Sequence, residues 1–206
     1  MMFEITNAKS ADVDAAIAVL GDAFAEDPLM LYLFADNPSG IRAGAMDFFS
    51  ILLRVRLALD MPAYVLRQDG IILGAAMGYD STRPPWPDAF TEEWSAFEAR
   101  VPNFATRIEA YGNICDAHQP TDAHYYLGVI GVAPTLQGKG AGKALLDAFC
   151  TPSHTDPKSS GVYLDTTNPS SLQFYYKNGF TLSGEGNLDG APVWCVYKRN
   201  ERRALT

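Results

Sequence analysis

The residues of this chain best suited to chemistry lie in Gln137-Gly138-Lys139-Gly140-Ala141-Gly142. An apolar run from Tyr125 to Val132 leads into them through Pro134, and beyond them Ala141, Ala144, Leu145, Ala148 and Phe149 recur at helical spacing. The order is strand, glycine loop, helix. Three glycines leave the main chain unobstructed, so the free N–H groups of the helix's first turn can face an anion, assisted by the helix dipole. A phosphate or diphosphate is the natural guest. A Walker-type loop ending at Gly142-Lys143 would need glycine where Gln137 stands and a hydroxyl where Ala144 stands. A dinucleotide fingerprint begun at Gly138 would need its third glycine where Lys143 stands, and no early strand feeds such a loop. Both are excluded.

A second stretch extends the pattern. Val162-Tyr163-Leu164-Asp165 reads as a short strand, followed by Asn168-Pro169 and then Tyr175-Tyr176-Lys177-Asn178-Gly179-Phe180. Gln-x-x-Gly-x-Gly directly after a strand ending Gly131-Val132-Ala133-Pro134, joined to this Asn and Tyr-x-x-x-Gly-Phe, resembles the GNAT superfamily of N-acetyltransferases. The resemblance covers roughly the C-terminal half of the chain. It implies transfer of an acetyl group from acetyl-coenzyme A, as cosubstrate and without a metal, to a primary amine of a small molecule by direct attack in a ternary complex.

The resemblance also implies site residues. Backbone amides of Gln137, Gly138, Lys139, Gly140, Ala141 and Gly142, with Lys143 beside them, would hold the diphosphate of the coenzyme. The main chain of Ile130, Gly131 and Val132 would lie along its pantetheine arm, which enters like an extra strand where strands four and five splay. One amide there would polarise the thioester carbonyl, a contribution of about 3 kcal/mol at other oxyanion sites. Tyr175, four residues before Gly179, takes the place of the family's tyrosine that protonates the departing thiolate; Tyr176, one step on, points about 100° away. Asn168 has two readings, as a neighbour of the coenzyme arm and as the cap of a helix whose first residue is Pro169.

The general base is the gap. An alkylammonium of pKa about 10 must lose its proton before it attacks, at a cost of roughly 4 kcal/mol at neutral pH. Many family members place a glutamate on strand four, whereas Tyr125 to Val132 holds no carboxylate. His124 and Asp122, at the start of that strand, are candidates, and Glu26 and Asp27 can approach from the first helix region. A water chain to solvent is a further route. Tyr175 and His124 are the expected catalytic side chains.

These groups require a scaffold, and the rest of the chain supplies its signals. Phe3-Glu4-Ile5-Thr6 alternates as a first strand, and Ser10 opens a helix with Val13, Ile17, Leu20 and Phe24 on one face, broken at Pro28. Tyr32 and Phe34 beyond it belong either to a pocket or to the core. A second helix spans Ile41 to Leu59. Asp69-Gly70 between two apolar runs predicts an antiparallel hairpin, Ala63–Arg67 with Ile71–Tyr79. Residues 81–123 form a helical insertion between strands three and four, with Phe90, Trp94 and Phe97, then Phe104, Ile108 and Tyr111, at helical spacing around Pro102. This insertion looks like that of the puromycin-acetyltransferase-like branch, where a helical segment covers the acceptor cleft; a surface helix pair is the other reading. Thr151 to Lys158 reads as a polar connection, Gly179 ends a helix, Asp189-Gly190 turns a last hairpin, and 198–206 is a charged tail. The expected fold is therefore α/β (α+β), a GNAT fold in one domain over 1–206, with a mixed, mostly antiparallel sheet of about seven strands flanked by helices and with strands four and five splayed.

Composition agrees. With 206 residues, 48% of them hydrophobic, the chain can bury a sizeable core. A net charge of -8 without any basic block argues against nucleic acid as a partner; the acidity either welcomes a cationic small substrate or simply keeps the protein soluble. Cys115, Cys150 and Cys195 are odd in number and widely spaced, which argues against a disulfide framework or a zinc site. The first residues carry no basic segment before an apolar core, and no uncharged stretch reaches the roughly 18 residues of a membrane span, so a cytoplasmic protein is expected, monomeric or homodimeric. Acetylation of a peptide N-terminus or lysine, and non-catalytic sensing of an acyl-coenzyme A, are the competing functions.

Overall fold

Asp69 and Gly70 both take positive φ, 52° and 80°, the mark of the tight turn whose twist matches two antiparallel strands. Around that turn a computed structural model describes residues 3–201 of the chain. The hairpin is β2 (Ala63–Gln68) with β3 (Ile71–Tyr79), and β1 (Glu4–Asn7) pairs antiparallel with β2. Four more strands follow: β4 (Tyr125–Val132), β5 (Gly161–Thr166), β6 (Thr181–Leu188) and β7 (Ala191–Arg199). They form one sheet in the order β1-β2-β3-β4-β5-β7-β6, in which only the β4–β5 pair is parallel. The expected mixed, mostly antiparallel sheet of seven strands is present, as are its splayed central pair and the helical insertion.

One irregularity in the sheet matters for the site. Met77 on β3 faces Val129 on β4, but the next residue, Gly78, faces Leu127. Gly128 is therefore the extra residue of a β-bulge, and the side-chain alternation of β4 changes phase there. Before the bulge Leu127 points with Tyr125 to one face; after it Ile130 and Val132 share that face, and Val129 joins the other.

Among the described residues, seven α-helices clothe the two faces. On the Tyr125 face, α6 (Ala141–Thr155) and α7 (Pro169–Lys177) bury Leu145, Phe149 and Leu172 against Leu66, Leu127 and Val162. On the other, α1 (Val13–Ala23) and α3 (Ile41–Ala58) bury Leu20, Phe49 and Leu53 against Val65, Ala75 and Met77. The short α2 (Pro28–Leu33) lies between them in sequence. The first helix was expected to break at Pro28, but it ends earlier, at Ala23, and Pro28 instead begins this second one, with Asp27 as its N-cap.

The insertion folds as α4 (Asp88–Arg100) and α5 (Phe104–His118). Its anchor is aromatic: Phe97 and Phe104, rings 4.9 Å apart, pack on Phe34, while Phe48 of α3 meets Trp94 at 5.8 Å. Each such pair adds about 0.5–1.5 kcal/mol beyond burial. Phe34 is thus core, and its place in the cluster excludes it from a pocket. Along its other side α5 sets Ile114 and Cys115 against β6 and β7.

Two boundaries differ from the sequence reading. The glycine-loop helix continues through Pro152 to Thr155, where a polar connection was predicted. Tertiary hydrogen bonds hold that last turn: Asn200 donates from Nδ2 to the Ser153 carbonyl at 2.7 Å, and the buried Ser153 hydroxyl donates to the Gly161 carbonyl at 3.1 Å. Lys198 and Arg199, assigned to a tail, pair in β7 with Val162 and Gly161; residues 202–206 of that tail lie outside the described residues. Among the described residues no helix is long and apolar enough to cross a membrane.

The bulge depends on Gly78. A Cβ there would sit 1.9 Å from the Tyr126 carbonyl oxygen and 2.6 Å from the Phe149 ring. Gly78→Ala is expected to destabilise the fold by about 1–3 kcal/mol, read as a lowered urea midpoint. An unchanged midpoint would mean that β4 yields at no cost.

Candidate active site

The site begins where two strands part. β5 lies beside β4 only at Tyr125–Val162 and Tyr126–Tyr163, while β4 runs on to Val132. From Leu127 onward the β5-facing edge of β4 has no strand partner, and its peptide groups are open to a guest that hydrogen-bonds like a strand. A cleft follows this edge and widens into two adjoining cavities.

The first, about 700 Å³, runs from β4 to the glycine loop. Its walls include Ile130, Gly131 and Val132 on one side and Phe174 on α7 across from them. Gln137, Gly138, Gly140, Gly142 and Lys143 close its end. Gly138 and Gly140 have φ of 73° and 86°, a backbone that a side chain would strain. Gly140 caps α6, and the first bond of that helix runs from Ala144 N to Gly140 O at 3.0 Å. The N–H groups of Ala141, Gly142 and Lys143 therefore have no intrahelical acceptor. This is a cradle for an anion at a helix N-terminus. Of the residues expected there, Lys139 is exposed and Ala141 is buried beneath the loop, so each contributes main chain at most. Asn168 also lines this cavity, yet its side chain accepts from Ser170 N at 2.9 Å and Ser171 N at 3.4 Å. The helix cap accounts for that oxygen.

The second cavity, about 500 Å³, is walled by aromatic side chains, among them Phe24, Phe49, Trp86, Trp94 and Tyr126. Trp94 and Thr91 come from α4, Ile108 and Tyr111 from α5, so the insertion forms part of its wall. The two cavities share Phe24, Asp27, Ile130 and Ser171, which marks their junction.

Polar groups are few and placed with purpose. Asp27 reaches the junction because Leu29 N donates both to its Oδ1, at 3.0 Å, and to Thr167 Oγ1, at 3.1 Å, tying the start of α2 to the end of β5. Burial raises its pKa, only partly offset by the amides of Leu29 and Met30. Tyr175, four residues before the Gly179 that ends α7, is buried and lines the second cavity. Burial, with the carboxyls of Asp165 and Asp27 nearby, raises the phenol's pKa, so it stays protonated. Tyr176, turned about 100° away by one helical step, is exposed. Asp165 accepts from the Tyr126 hydroxyl at 3.0 Å, and burial holds its pKa well above the ordinary 3.8.

The structure does not bring His124 to this site. The ring is buried at the start of β4 and lines a separate, open surface pocket with Arg83 and Asp116. Arg83 donates to Nε2, which leaves Nδ1–H to donate to the Asp122 carbonyl at 2.8 Å. Both nitrogens are engaged, and burial with the nearby guanidinium lowers the pKa. His124 is a structural ring, neutral and remote from the junction. Glu26 is exposed and lines neither cavity, so Asp27 is the acid that reaches. Two groups escaped sequence reasoning. Asp165 was legible only as the end of a strand, and Arg56 sits among the apolar residues of α3 with no motif to flag it; a charge at a core-facing helical position was the available signal.

Residues 105–182 match the acetyltransferase (GNAT) domain family. Among solved structures, the chain is similar to a histone acetyltransferase HPA2 and related acetyltransferase from Corynebacterium glutamicum, at 23% identity over 100% of both chains and a TM-score of 0.72. It is similar also to a Drosophila melanogaster polyamine N-acetyltransferase, at 17% identity over 95% of this chain and 98% of that one, TM-score 0.65. The PaiA N-acetyltransferase of Thermoplasma acidophilum, solved in complex with coenzyme A, aligns at 17% identity over 97% and 99%, TM-score 0.57. The seven-stranded sheet with its parallel β4–β5 pair is the GNAT fold.

Asp165 gives this site a pH signature. A carboxyl whose proton is held more tightly in the folded than in the unfolded chain weakens the fold as pH rises from the ordinary aspartate range through its folded value. Asp165→Asn keeps an acceptor for Tyr126 and removes that penalty. It should raise the melting temperature near pH 8, with the gain vanishing toward about pH 4. An equal gain at both ends would refute a buried titrating acid.

Proposed function

We propose that the protein transfers the acetyl group of acetyl-coenzyme A to a primary amine of a small molecule, by direct attack in a ternary complex. One observation carries this reading: a long cleft that ends in free helix-terminal N–H groups meets an aromatic-walled cavity at Asp27, Ile130 and Ser171. A phosphate-bearing thioester and an acceptor entering from the two sides would meet there. The likeness to GNAT domains and to polyamine-acetylating and coenzyme A-bound structures supports it.

The chain's own groups then have definite tasks. N–H groups from Gly138 to Lys143 hold the diphosphate, and the open edge of β4 from Ile130 to Val132 lines the pantetheine arm. A β4 amide beside the Gly128 bulge, turned out of the ladder with β3, donates to the thioester oxygen as negative charge develops. Asp27 takes the proton of the acceptor ammonium, directly or through one water, and the neutral nitrogen bonds to the acetyl carbon. As the carbon–sulfur bond breaks, Tyr175 gives its hydroxyl proton to the thiolate. The wall built by α4 and α5 favours a small acceptor over a peptide, in keeping with the puromycin-acetyltransferase-like insertion.

A thiol-release screen across polyamines, aminoglycosides, amino acids, aryl amines and short peptides tests the reaction. Coenzyme binding by calorimetry with no release from any amine would make the protein a sensor instead. Tyr175→Phe should lower kcat about a hundredfold while leaving coenzyme affinity unchanged. Asp27 must be ionised to act, so activity should fall with decreasing pH at a value above the ordinary aspartate range. Asp27→Asn should lower kcat about a hundredfold or more and remove that acid limb; a limb that persists would assign the base elsewhere.

A further inference from the structure

Arg56 is 4% exposed on α3, and it lines the aromatic cavity. Its Nη1 donates to the Leu52 carbonyl of its own helix at 3.3 Å, whereas its buried Nε has no hydrogen-bond partner and no carboxylate pairs with it among the described residues. What surrounds the guanidinium is aromatic: the Tyr79 ring lies 4.3 Å from its carbon and Trp86 5.9 Å. Ring faces attract the charge but accept few of its donors, and a buried guanidinium is strongly disfavoured until an oxyanion takes them. Tyr126, next to Tyr79 in the β3–β4 register, carries a second cation, Arg83, 5.4 Å from its ring. The acid on that side, Asp165, is bonded to the Tyr126 hydroxyl, and burial favours its neutral form. Arg83 itself lies in the separate pocket with Asp116, so at this end of the cavity it is Arg56 that stands without a paired carboxylate among the described residues.

We propose that Arg56 binds a carboxylate of the acceptor, so that the substrate is an amine with an acidic group at the far end of an apolar or aromatic body. This rests on the acetyl-transfer reading above and names the substrate class for it. The spacing follows from β4. Arg56 sits by Tyr79, which pairs with Tyr126, and the junction lies at Ile130, four residues further along with one of the intervening residues in the bulge. At about 3.3 Å per residue the two ends are on the order of 10 Å apart. The wall between them is apolar, with Phe49, Leu52 and Trp94. Asp27 at the junction takes the ammonium, and Arg56 takes the carboxylate.

Matched acceptors test this: ε-aminocaproate against hexylamine, and para-(aminomethyl)benzoate against benzylamine, in the thiol-release assay. Each acid should exceed its neutral partner in kcat/KM by about 10- to 150-fold, the range for a hydrogen-bonded charge. Arg56→Gln should abolish that preference chiefly through KM, and Arg56→Lys should keep part of it. Neutral amines acetylated as well as the acids by the wild-type protein would overturn the proposal without touching acetyl transfer. Should no amine release thiol, acetyl transfer falls, and calorimetry on the coenzyme A-loaded wild-type protein decides the anion site separately. Tighter binding of para-(acetamidomethyl)benzoate than of N-benzylacetamide, lost in Arg56→Gln, would support it; equal affinities would overturn it.

Discussion

The parting of β4 from β5 after two paired positions is the constraint on which the rest of the structure depends. A strand edge left unpaired inside a protein leaves peptide groups without acceptors and donors, a costly state unless something else supplies them. Here the edge faces a cleft rather than the core. The bulge at Gly128 keeps β4 joined to β3 while turning its main chain, and Gly78 lets the two backbones approach closely enough for that to happen. Around the opening the architecture is conventional: layers of helices on both faces, apolar alternation along each strand, turns at Asp69-Gly70 and Asp189-Gly190.

Both cavities derive from that opening, but they differ in character. The cleft along β4 ends in backbone, at free N–H groups whose positions are set by the left-handed glycines and the start of α6. The second cavity is made of side chains drawn from α2, α3, α4, α5, α7 and the sheet, with Phe24 and Asp27 from the segment after α1, and its wall holds its shape because Phe34, Phe48, Phe97 and Phe104 lock the insertion to the body of the protein. A backbone site suits a guest defined by phosphate and amide groups. A side-chain site selects its guest by shape and charge.

Charge is distributed along this path in a definite order. The helix terminus favours an anion, Asp27 at the junction favours a cation, and the Arg56 end favours an anion again. The acids inside, Asp27 and Asp165, and the phenols of Tyr126 and Tyr175 are all pushed toward their neutral forms by burial. Burial of this kind keeps the phenols protonated and makes each carboxylate that does ionise a stronger base than a free one.

Local pattern was sufficient for much of this. The glycine loop, the hairpin turn, the cap at Asn168 and the end of α7 at Gly179 follow from short-range rules of backbone conformation and capping, so they were legible from residue types and spacing alone, whereas Tyr175 was singled out by the resemblance to GNAT acetyltransferases. The helical insertion was legible from its aromatic periodicity, while the choice between a cleft cover and a surface helix pair waited for the structure, which sets Trp94, Ile108 and Tyr111 in the cavity wall. What only the tertiary structure decided are the partners: that His124 bonds Arg83 and Asp122 and faces away from the junction, that Asp27 rather than Glu26 reaches it through Leu29 and Thr167, and that α6 runs through Pro152 because Asn200 and Gly161 hold its last turn. It also decided that Arg56, unlike the other charged residues of α3, is buried, and that no acid pairs with it among the described residues. Backbone preferences are encoded within a few neighbouring residues; the burial and pairing of a charge depend on groups far apart in sequence, and those meet only when the chain has folded.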